Sequence, residues 1–217
     1  MQQVDAYIRE QQARFADHPF FVRLQKAATL DEIMAFAPDL AFWVMAFQDV
    51  LRLNESRVDD AGLRRMARAH RIEDAGHERW FLEDLSALGA RRGHDAASLF
   101  SPRDTTTRDA AYEIVSEVFR VRDDRVRVVL LLALESAGHV FFERVARALE
   151  GRDDVPPLRY FAKAHLDVEK DHELFHDADV QMFLEAALPA DVRAEAKALV
   201  ERVYAAFARM FDGFVKA

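Results

Sequence analysis

The sequence predicts an all-α fold, a single helical domain over residues 1–217 with about seven to eight helices. The chain has 217 residues, of which 51% are hydrophobic and 31% are charged, a composition typical of a globular protein with one core. Alanine, leucine, arginine and glutamate are abundant and the β-branched residues isoleucine and threonine are rare, so helix propensity dominates. Seven glycines and six prolines are few for this length, which favours long helices with short connections.

Capping patterns and helix periodicity place the individual helices. They are predicted, in chain order, over about residues 4–16, 19–27, 30–53, 60–89, 105–121, 124–150, 156–185 and 190–215. Thr29 and Glu32 form a capping box for the third of these. Pro38 is expected to kink or split that helix, because proline lacks a backbone N–H and its ring clashes with the preceding turn. Gly89 is a typical residue to follow the last turn of the fourth helix.

Proline and glycine mark the connections between these helices. The first helix ends at the turn Asp17-His18-Pro19, which also starts the second. The longest irregular connection is predicted from Ala90 to Asp104 and joins the two halves of the chain. Gly151 to Pro157 and the pair Leu188-Pro189 separate the last three helices.

Charge and cysteine content exclude several classes of function. The net charge is −8 without any run of basic residues, so the sequence predicts no nucleic-acid partner. The N-terminus does not resemble a secretory signal. The longest apolar stretches, Leu40–Phe47 and Val128–Leu134, are far shorter than the roughly 20 residues of a membrane span. We therefore expect a cytoplasmic protein with no membrane partner. The absence of cysteine excludes disulfides, thiolate nucleophiles and iron–sulfur clusters.

Three predicted helices carry acids and histidines on the side that should face the core. Tracing positions at 100° per residue puts these polar residues among apolar neighbours. In chain order they are His70, Glu73 or Asp74, His77, Glu135, His139, His165, Glu169, His172 and His176. Six of the eight histidines are in this set. A buried carboxylate costs several kcal/mol unless it is paired or binds a cation.

The spacing of these residues predicts a metal site with two ions. Residues three or four apart on a helix have Cβ atoms roughly 5–6 Å apart, so such pairs can share one ion. Glu73 and His77 are four apart, and His165, Glu169 and His172 follow the same rule. Mixed nitrogen and oxygen ligands suit iron or manganese, and helical bundles use them for dimetal centres. The alternative for any one helix is a salt bridge or a buried hydrogen-bonded histidine without a metal.

In the order and spacing of these residues the chain resembles the haem-oxygenase-like superfamily. Within that superfamily it is most similar to the non-haem dimetal oxidases and oxygenases called iron-containing redox enzymes. Relatives of that branch include thiaminase II and pyrroloquinoline-quinone synthase. The resemblance spans about residues 18–185. It rests on His18-Pro19-Phe20-Phe21, the kinked helix Phe36–Phe47, Glu73-Asp74-Ala75-Gly76-His77, the isolated Glu135, and Tyr160-Phe161 before His165-x3-Glu169-x2-His172.

The resemblance implies a function and a ligand set. It implies an oxidoreductase that activates O₂ with two iron ions per chain, or manganese, and acts on a small organic substrate, commonly as a homodimer. The implied ligands are Glu73, His77, Glu135, His165, Glu169 and His172. Many members place the first acid seven residues before the histidine, where this chain has His70, so His70, Glu73 and Asp74 all stay candidates. The third-helix acid is often aspartate in the family, and roles for His139 and His176 stay open.

Other functions are weighed on the same residues. A thiaminase is excluded because it needs a cysteine nucleophile. Haem ligation would fall to His18, which begins a turn. A ferritin-like diiron bundle would use Asp49, Asp74-x2-His77, Glu135 and Glu169-x2-His172, and would leave His165 without a role. A metal-free oxidase or binding protein would use the same polar residues as a hydrogen-bond network. Aromatic residues expected on or near the pocket wall are Phe42, Trp43, Phe47, Trp80 and Phe142.

Overall fold

The computed structural model describes residues 1–89, 100, 102–170, 183 and 185–216, with the backbone alone for residues 103, 167–170 and 216. Within these residues the chain is a helical bundle without strands, which confirms the all-α prediction. The α-helices are α1 (Gln2–Ala16), α2 (Pro19–Lys26), α3 (Leu30–Met34), α4 (Ala41–Glu55), α5 (Ala61–Glu73), α6 (His77–Ala87), α7 (Thr105–Arg120), α8 (Asp124–Leu149), α9 (Lys163–Lys170) and α10 (Ala190–Lys216). Two 3₁₀ turns cover Ala37–Leu40 and Pro102–Asp104.

Helix α8 is the centre of the bundle. Every residue from Val126 to Glu135 is buried, so this part of the helix is enclosed on all sides. Helices α1, α2, α5, α9 and α10 pack directly against it. Helix α4 packs against α5 and α7 on one flank. The described helices thus share one main hydrophobic core.

The structure confirms the helices predicted near the start of the chain. The side chain of His18 caps α2 by accepting a hydrogen bond from the N–H of Phe20. Thr29 and Glu32 form the predicted capping box of α3. Pro38 lies in the 3₁₀ turn that separates α3 from α4, so the predicted helix over residues 30–53 is split there.

The single helix predicted over residues 60–89 is wrong, because the chain breaks between α5 and α6. Asp60 caps α5 through Leu63, as expected of an N-cap residue. Gly76 then has φ of 101°, a left-handed conformation that interrupts the helix. A second helix begins at the next residue, His77. Gly89 has φ of 63° one residue beyond the C-cap of α6, as predicted for the end of this segment.

The helix predicted over residues 156–185 begins later than expected. Helix α9 starts at Lys163, and residues 156–162 approach it as an irregular segment. Pro156 and Pro157 keep Val155 and Pro156 extended, because the residue before a proline is disfavoured in the helical region. Residues 171–182 and 184 lie outside the described residues, as does most of the predicted connection 90–104. The predicted helices over residues 105–121, 124–150 and 190–215 are confirmed as α7, α8 and α10.

One stretch of the bundle, Leu30–Glu55, meets the length and hydropathy expected of a membrane span. Its most apolar window has a mean hydropathy of 1.3 and is 50% buried inside the bundle. Core helices of soluble proteins show the same values, so the cellular location stays the prediction made from the sequence.

The break at Gly76 gives a testable prediction. Replacing Gly76 with alanine should lower the free energy of unfolding by about 1–2 kcal/mol, because an alanine in the left-handed region brings its Cβ close to the carbonyl oxygen. Gly76→Asn should lose less, since asparagine tolerates this conformation. Urea unfolding of the two variants checks this. Equal stability of wild type and Gly76→Ala would contradict the described break.

Candidate metal centre

A cavity of about 70 Å³ lies between α8, α4, α10 and the break that separates α5 from α6. Aromatic and aliphatic side chains form most of its wall. The polar side chains that line it are those of Gln48, Asp74, His77, Glu78, Glu135 and His165. Polar groups are therefore concentrated on one side of an otherwise apolar cavity, as in many ligand sites.

The break between α5 and α6 brings Asp74 and His77 to the cavity. Asp74 is the C-cap residue of α5, and its N–H still donates to the carbonyl of His70. Its own carbonyl accepts a hydrogen bond from Gln48 Nε2 at 3.1 Å. The N–H of Gly76 donates to Glu78 Oε2 at 2.9 Å. The turn is thus held from two sides, and His77 opens the next helix at a fixed distance from Asp74.

The first group of ligand-type residues is His70, Asp74 and Glu135. One such atom from each lies within 4.8 Å of the others. His70 Nε2 is hydrogen-bonded to Glu135 Oε1 and lies 2.8 Å from Asp74 Oδ2. The exposed fractions are 0%, 3% and 8% for His70, Asp74 and Glu135. These polar groups are therefore held almost wholly out of water.

The proximity of these groups shifts their proton affinities. Burial alone would lower the pKa of His70, but the carboxylates of Glu135 and Asp74 outweigh it and raise the pKa well above its ordinary value. Burial would likewise raise the pKa of Asp74, yet His70 and His77 hold that pKa below its ordinary value. Without a bound cation, His70 is therefore a positively charged partner of ionised Asp74 at neutral pH.

The second group is Asp74, His77 and His165. His165 Nε2 lies 3.2 Å from His77 Nδ1, and Asp74 Oδ1 lies 3.4 Å from the same His77 nitrogen. His165 Nδ1 donates to the carbonyl of Tyr160 at 2.7 Å. Because a carbonyl oxygen only accepts, this bond places a proton on Nδ1, and in the neutral form of the ring Nε2 then carries the lone pair on the side of His77.

Asp74 joins the two groups, because its two carboxylate oxygens are directed to opposite sides. Oδ2 is on the side of His70 and Oδ1 on the side of His77. Oδ2 is buried and accepts no well-aligned hydrogen bond, since the ring nitrogen of His70 is paired with Glu135. A buried carboxylate oxygen in this condition is a fitting ligand for a cation. Histidine nitrogens and carboxylate oxygens together suit iron, manganese or zinc.

Asp84 positions the segment that carries Tyr160. Its oxygens accept hydrogen bonds from the backbone N–H groups of Arg159 at 2.7 Å and Phe161 at 3.0 Å. Asp84 is 1% exposed, and burial raises its pKa. The Tyr160 carbonyl that binds His165 is thereby held in place from α6. The sequence does contain a signal for this residue, because Asp84 interrupts the apolar side of α6 in the way that Glu135 interrupts α8.

The structure brings together three of the six predicted ligands, His77, Glu135 and His165. Glu73 does not line the cavity, and the acid that faces it is the neighbouring Asp74. The cause is the helix break, which turns the chain immediately after Glu73. Sequence reasoning left His70 and Asp74 open as candidates, and the structure places both in the first group. The Glu169 side chain, His172 and His176 lie outside the described residues.

Other predicted residues fall away from the cavity. His139 does not line it. Asp49, needed for a ferritin-like site, is an exposed residue bonded to Arg52 at 2.8 Å. His18, the candidate for haem, binds the Phe20 N–H with one nitrogen and lies 3.4 Å from Asp212 with the other. These placements disfavour the ferritin-like and haem alternatives.

The expected aromatic wall is present in part. Trp43, Phe47 and Phe142 line the cavity, whereas Phe42 packs against Tyr112 of α7. Trp80 is outside the cavity wall but stacks on His77, with ring centroids 4.5 Å apart and planes at 27°. The His77 ring therefore packs against the indole of Trp80 and against His165, and these two rings also contact each other with centroids 5.5 Å apart.

The role of Asp84 can be tested by comparing a variant of Asp84 with a variant of the adjacent acid, Glu83. Asp84→Asn should lower the free energy of unfolding by about 1–3 kcal/mol, because the amide NH₂ cannot accept the hydrogen bond it replaces. Glu83 makes only an exposed ion pair with Arg159 at 3.3 Å. Glu83→Gln should therefore change stability by no more than about 0.5 kcal/mol. Chemical unfolding measures both, and equal losses would argue against a positioning role for Asp84.

The pKa of His70 predicts how stability depends on pH in metal-free protein. A raised folded-state pKa contributes stability that is complete below the unfolded value of about 6.5 and is lost as pH rises through the folded value. The free energy of unfolding should therefore fall from pH 6.5 upwards. His70→Asn should remove this part of the slope. Urea unfolding between pH 5 and 9 checks it, and parallel curves for wild type and variant would refute the pairing.

No family model matches the chain, and a comparison with curated proteins gives no match either. The geometry of the cavity is therefore the main basis for assigning a function.

Proposed function

We propose that this protein is an O₂-activating non-haem oxidase or oxygenase that holds two iron ions, or manganese, and acts on a small organic substrate in the cavity. The observation that carries the proposal is the buried carboxylate of Asp74, which lies between two groups of ligand-type side chains. A carboxylate with one oxygen towards each group is suited to join two metal ions. The resemblance of the sequence to non-haem dimetal oxidases supports the same conclusion.

The charge balance of the described residues favours a bound cation. Asp74 and Glu135 are both more than nine-tenths buried, and the His70 imidazole lies against both carboxylates. Keeping two carboxylates ionised in an apolar surrounding is costly unless enough positive charge lies close to them. Divalent cations between these groups remove that cost.

The donor atoms divide naturally between two positions. Asp74, His77 and His165 would hold one ion, and Asp74 and Glu135 would hold the other with His70 beside them. Glu169 and His172 are the further ligands that the family resemblance implies. Iron or manganese ions held here would supply the electrons for the reduction of O₂.

The rest of the cavity prepares this chemistry through the protein's own side chains. The Tyr160 carbonyl holds the tautomer of His165, as outer hydrogen-bond partners of metal-ligating histidines usually do. His70 holds a proton between the two carboxylates whenever no cation replaces it. The aromatic wall formed by Trp43, Phe47 and Phe142 excludes water from the polar side. A cytoplasmic location, expected from the sequence, and a homodimer, implied by the family resemblance, belong to the same proposal.

The proposal can be tested by comparing metal binding in variants of two adjacent acids, Asp74 and Glu73. Wild-type protein reconstituted without oxygen should bind about two Fe(II) or Mn(II) ions per chain and melt at a higher temperature, because a ligand of the native state alone stabilises it. Asp74→Asn should lose both ions, since its carboxylate serves both positions. Glu73→Gln is the matched control and should keep both. Elemental analysis and thermal unfolding provide the readouts.

Further variants separate the two positions. His165→Asn should retain the ion near Glu135, and Glu135→Gln should retain the ion near His77. Iron-loaded wild type should consume O₂, and Asp74→Asn should not. Wild type that binds neither metal, or Asp74→Asn that binds as well as wild type, would refute the dimetal assignment.

A further inference from the structure

Gly138 is an unusual residue at its position in α8. It lies near the middle of a helix of 26 residues, three residues after Glu135. Glycine is the least favourable residue in a helix interior apart from proline. Its backbone has no positive φ that would require a glycine. Helix formation therefore gives no reason for glycine here.

Packing does not explain Gly138 either. A Cβ built on it would meet no atom of the described residues within 4 Å. Gly213 in α10 shows the contrasting case, because its Cβ would come 2.1 Å from Thr106 Oγ1. Gly213 is thus required by the close approach of α7, whereas no side chain in the described part of the structure approaches Gly138 in this way.

The open space beside Gly138 is the cavity of the candidate metal centre. Gly138 lines that cavity together with Glu135, and residues three apart lie on the same side of a helix. A side chain at position 138 would therefore occupy volume next to the Glu135 carboxylate. Its absence keeps this part of the cavity open at a cost in helix stability, as is common where function and stability conflict.

The surroundings of this space fit an uncharged group. Away from the polar side the wall is made by apolar residues that include Leu40, Trp43, Val44, Phe47, Phe207 and Met210. A charged group buried against such side chains would lose its hydration without a partner. The cavity volume of about 70 Å³ is also about half that of a cavity that holds benzene. A compact alkyl group suits this volume better than an aromatic ring.

We infer that Gly138 forms the floor of a substrate subsite that takes a compact, uncharged alkyl group and holds it beside Glu135. The residue at position 138 sets the size of the group that is accepted. The inference rests on the proposed function, because the subsite places that group next to the proposed metal ions.

Three probes with the same four-carbon skeleton test the inference: 1-butanol, butyrate and butylammonium. Binding is followed by NMR titration of metal-loaded and of metal-free protein. Butanol should bind more tightly than either ion, with shifts at residues around Gly138. Gly138→Val should weaken butanol binding by about tenfold or more, since one methylene in a pocket changes binding about 10–200-fold. Glu143→Val, an exposed change in the same helix, should leave butanol binding unaltered.

The Gly138→Ala variant keeps the test independent of folding. It should raise the melting temperature by about 2–4 °C, because alanine favours the helix, and it should still weaken butanol binding. Butanol binding that is equal in wild type and both Gly138 variants would overturn the subsite, as would tighter binding of butyrate in both metal states.

Metal analysis of the same samples separates this inference from the proposed function. Wild type and Gly138→Val should bind equal amounts of Mn(II). Protein that binds butanol in a Gly138-dependent way but binds no metal would support the subsite and refute the dimetal proposal. Protein that binds Mn(II), and whose affinity for butanol is the same in wild type and in the Gly138 variants, would support the dimetal proposal and refute the subsite.

Discussion

Two carboxylates, those of Asp74 and Glu135, lie in an interior made largely of aromatic and aliphatic side chains. The free-energy cost of keeping them ionised there must be offset by nearby positive charge. His70 offsets part of it by lying against both carboxylates. Acid and imidazole groups are kept in contact here because α5 ends at Asp74, α6 begins at His77 and α8 carries Glu135. A chain that lost this balance would either take up protons or expose the acids to water.

Helix α6 links the two histidines of the second group. His77 is its first residue, and Asp84, about two turns later, holds the backbone of residues 159–161. The carbonyl of Tyr160 in that segment fixes His165. A displacement of α6 would therefore move both imidazoles in the same direction. Their separation is protected although the two residues are 88 positions apart in the chain.

The sequence predicted the class of fold and most helices because local rules govern them. The capping box at Thr29 and the break at Pro38 depend on a few neighbouring residues. The error over residues 60–89 has a local cause as well. A helical periodicity traced through Gly76 assumed that glycine would stay in the helix, whereas it takes a left-handed conformation. The sequence pattern alone does not show whether a glycine stays helical or takes a left-handed conformation.

The helix break at Gly76 also limited how much of the candidate site could be predicted from the sequence. His77, Glu135 and His165 were found because each interrupts an apolar helix side. The choice between Glu73 and Asp74 depended on where α5 ends, and only the three-dimensional path of the chain decides it. Asp84 was missed because its partners are backbone N–H groups of a distant segment. Such partners leave no side-chain pattern, so the interruption of the apolar side of α6 by Asp84 did not reveal its role.

The chain has no cysteine, and Met210 lies in the cavity wall with 1% exposure. Methionine is readily oxidised to a sulfoxide, which is polar and disrupts apolar packing. If the centre reduces O₂, oxidant that escapes the substrate is released into a cavity whose wall contains this thioether. Sulfoxide at Met210 would then accumulate with each uncoupled reaction and place a polar oxygen in the apolar wall. The working life of a molecule would then depend in part on how often this buried thioether is oxidised.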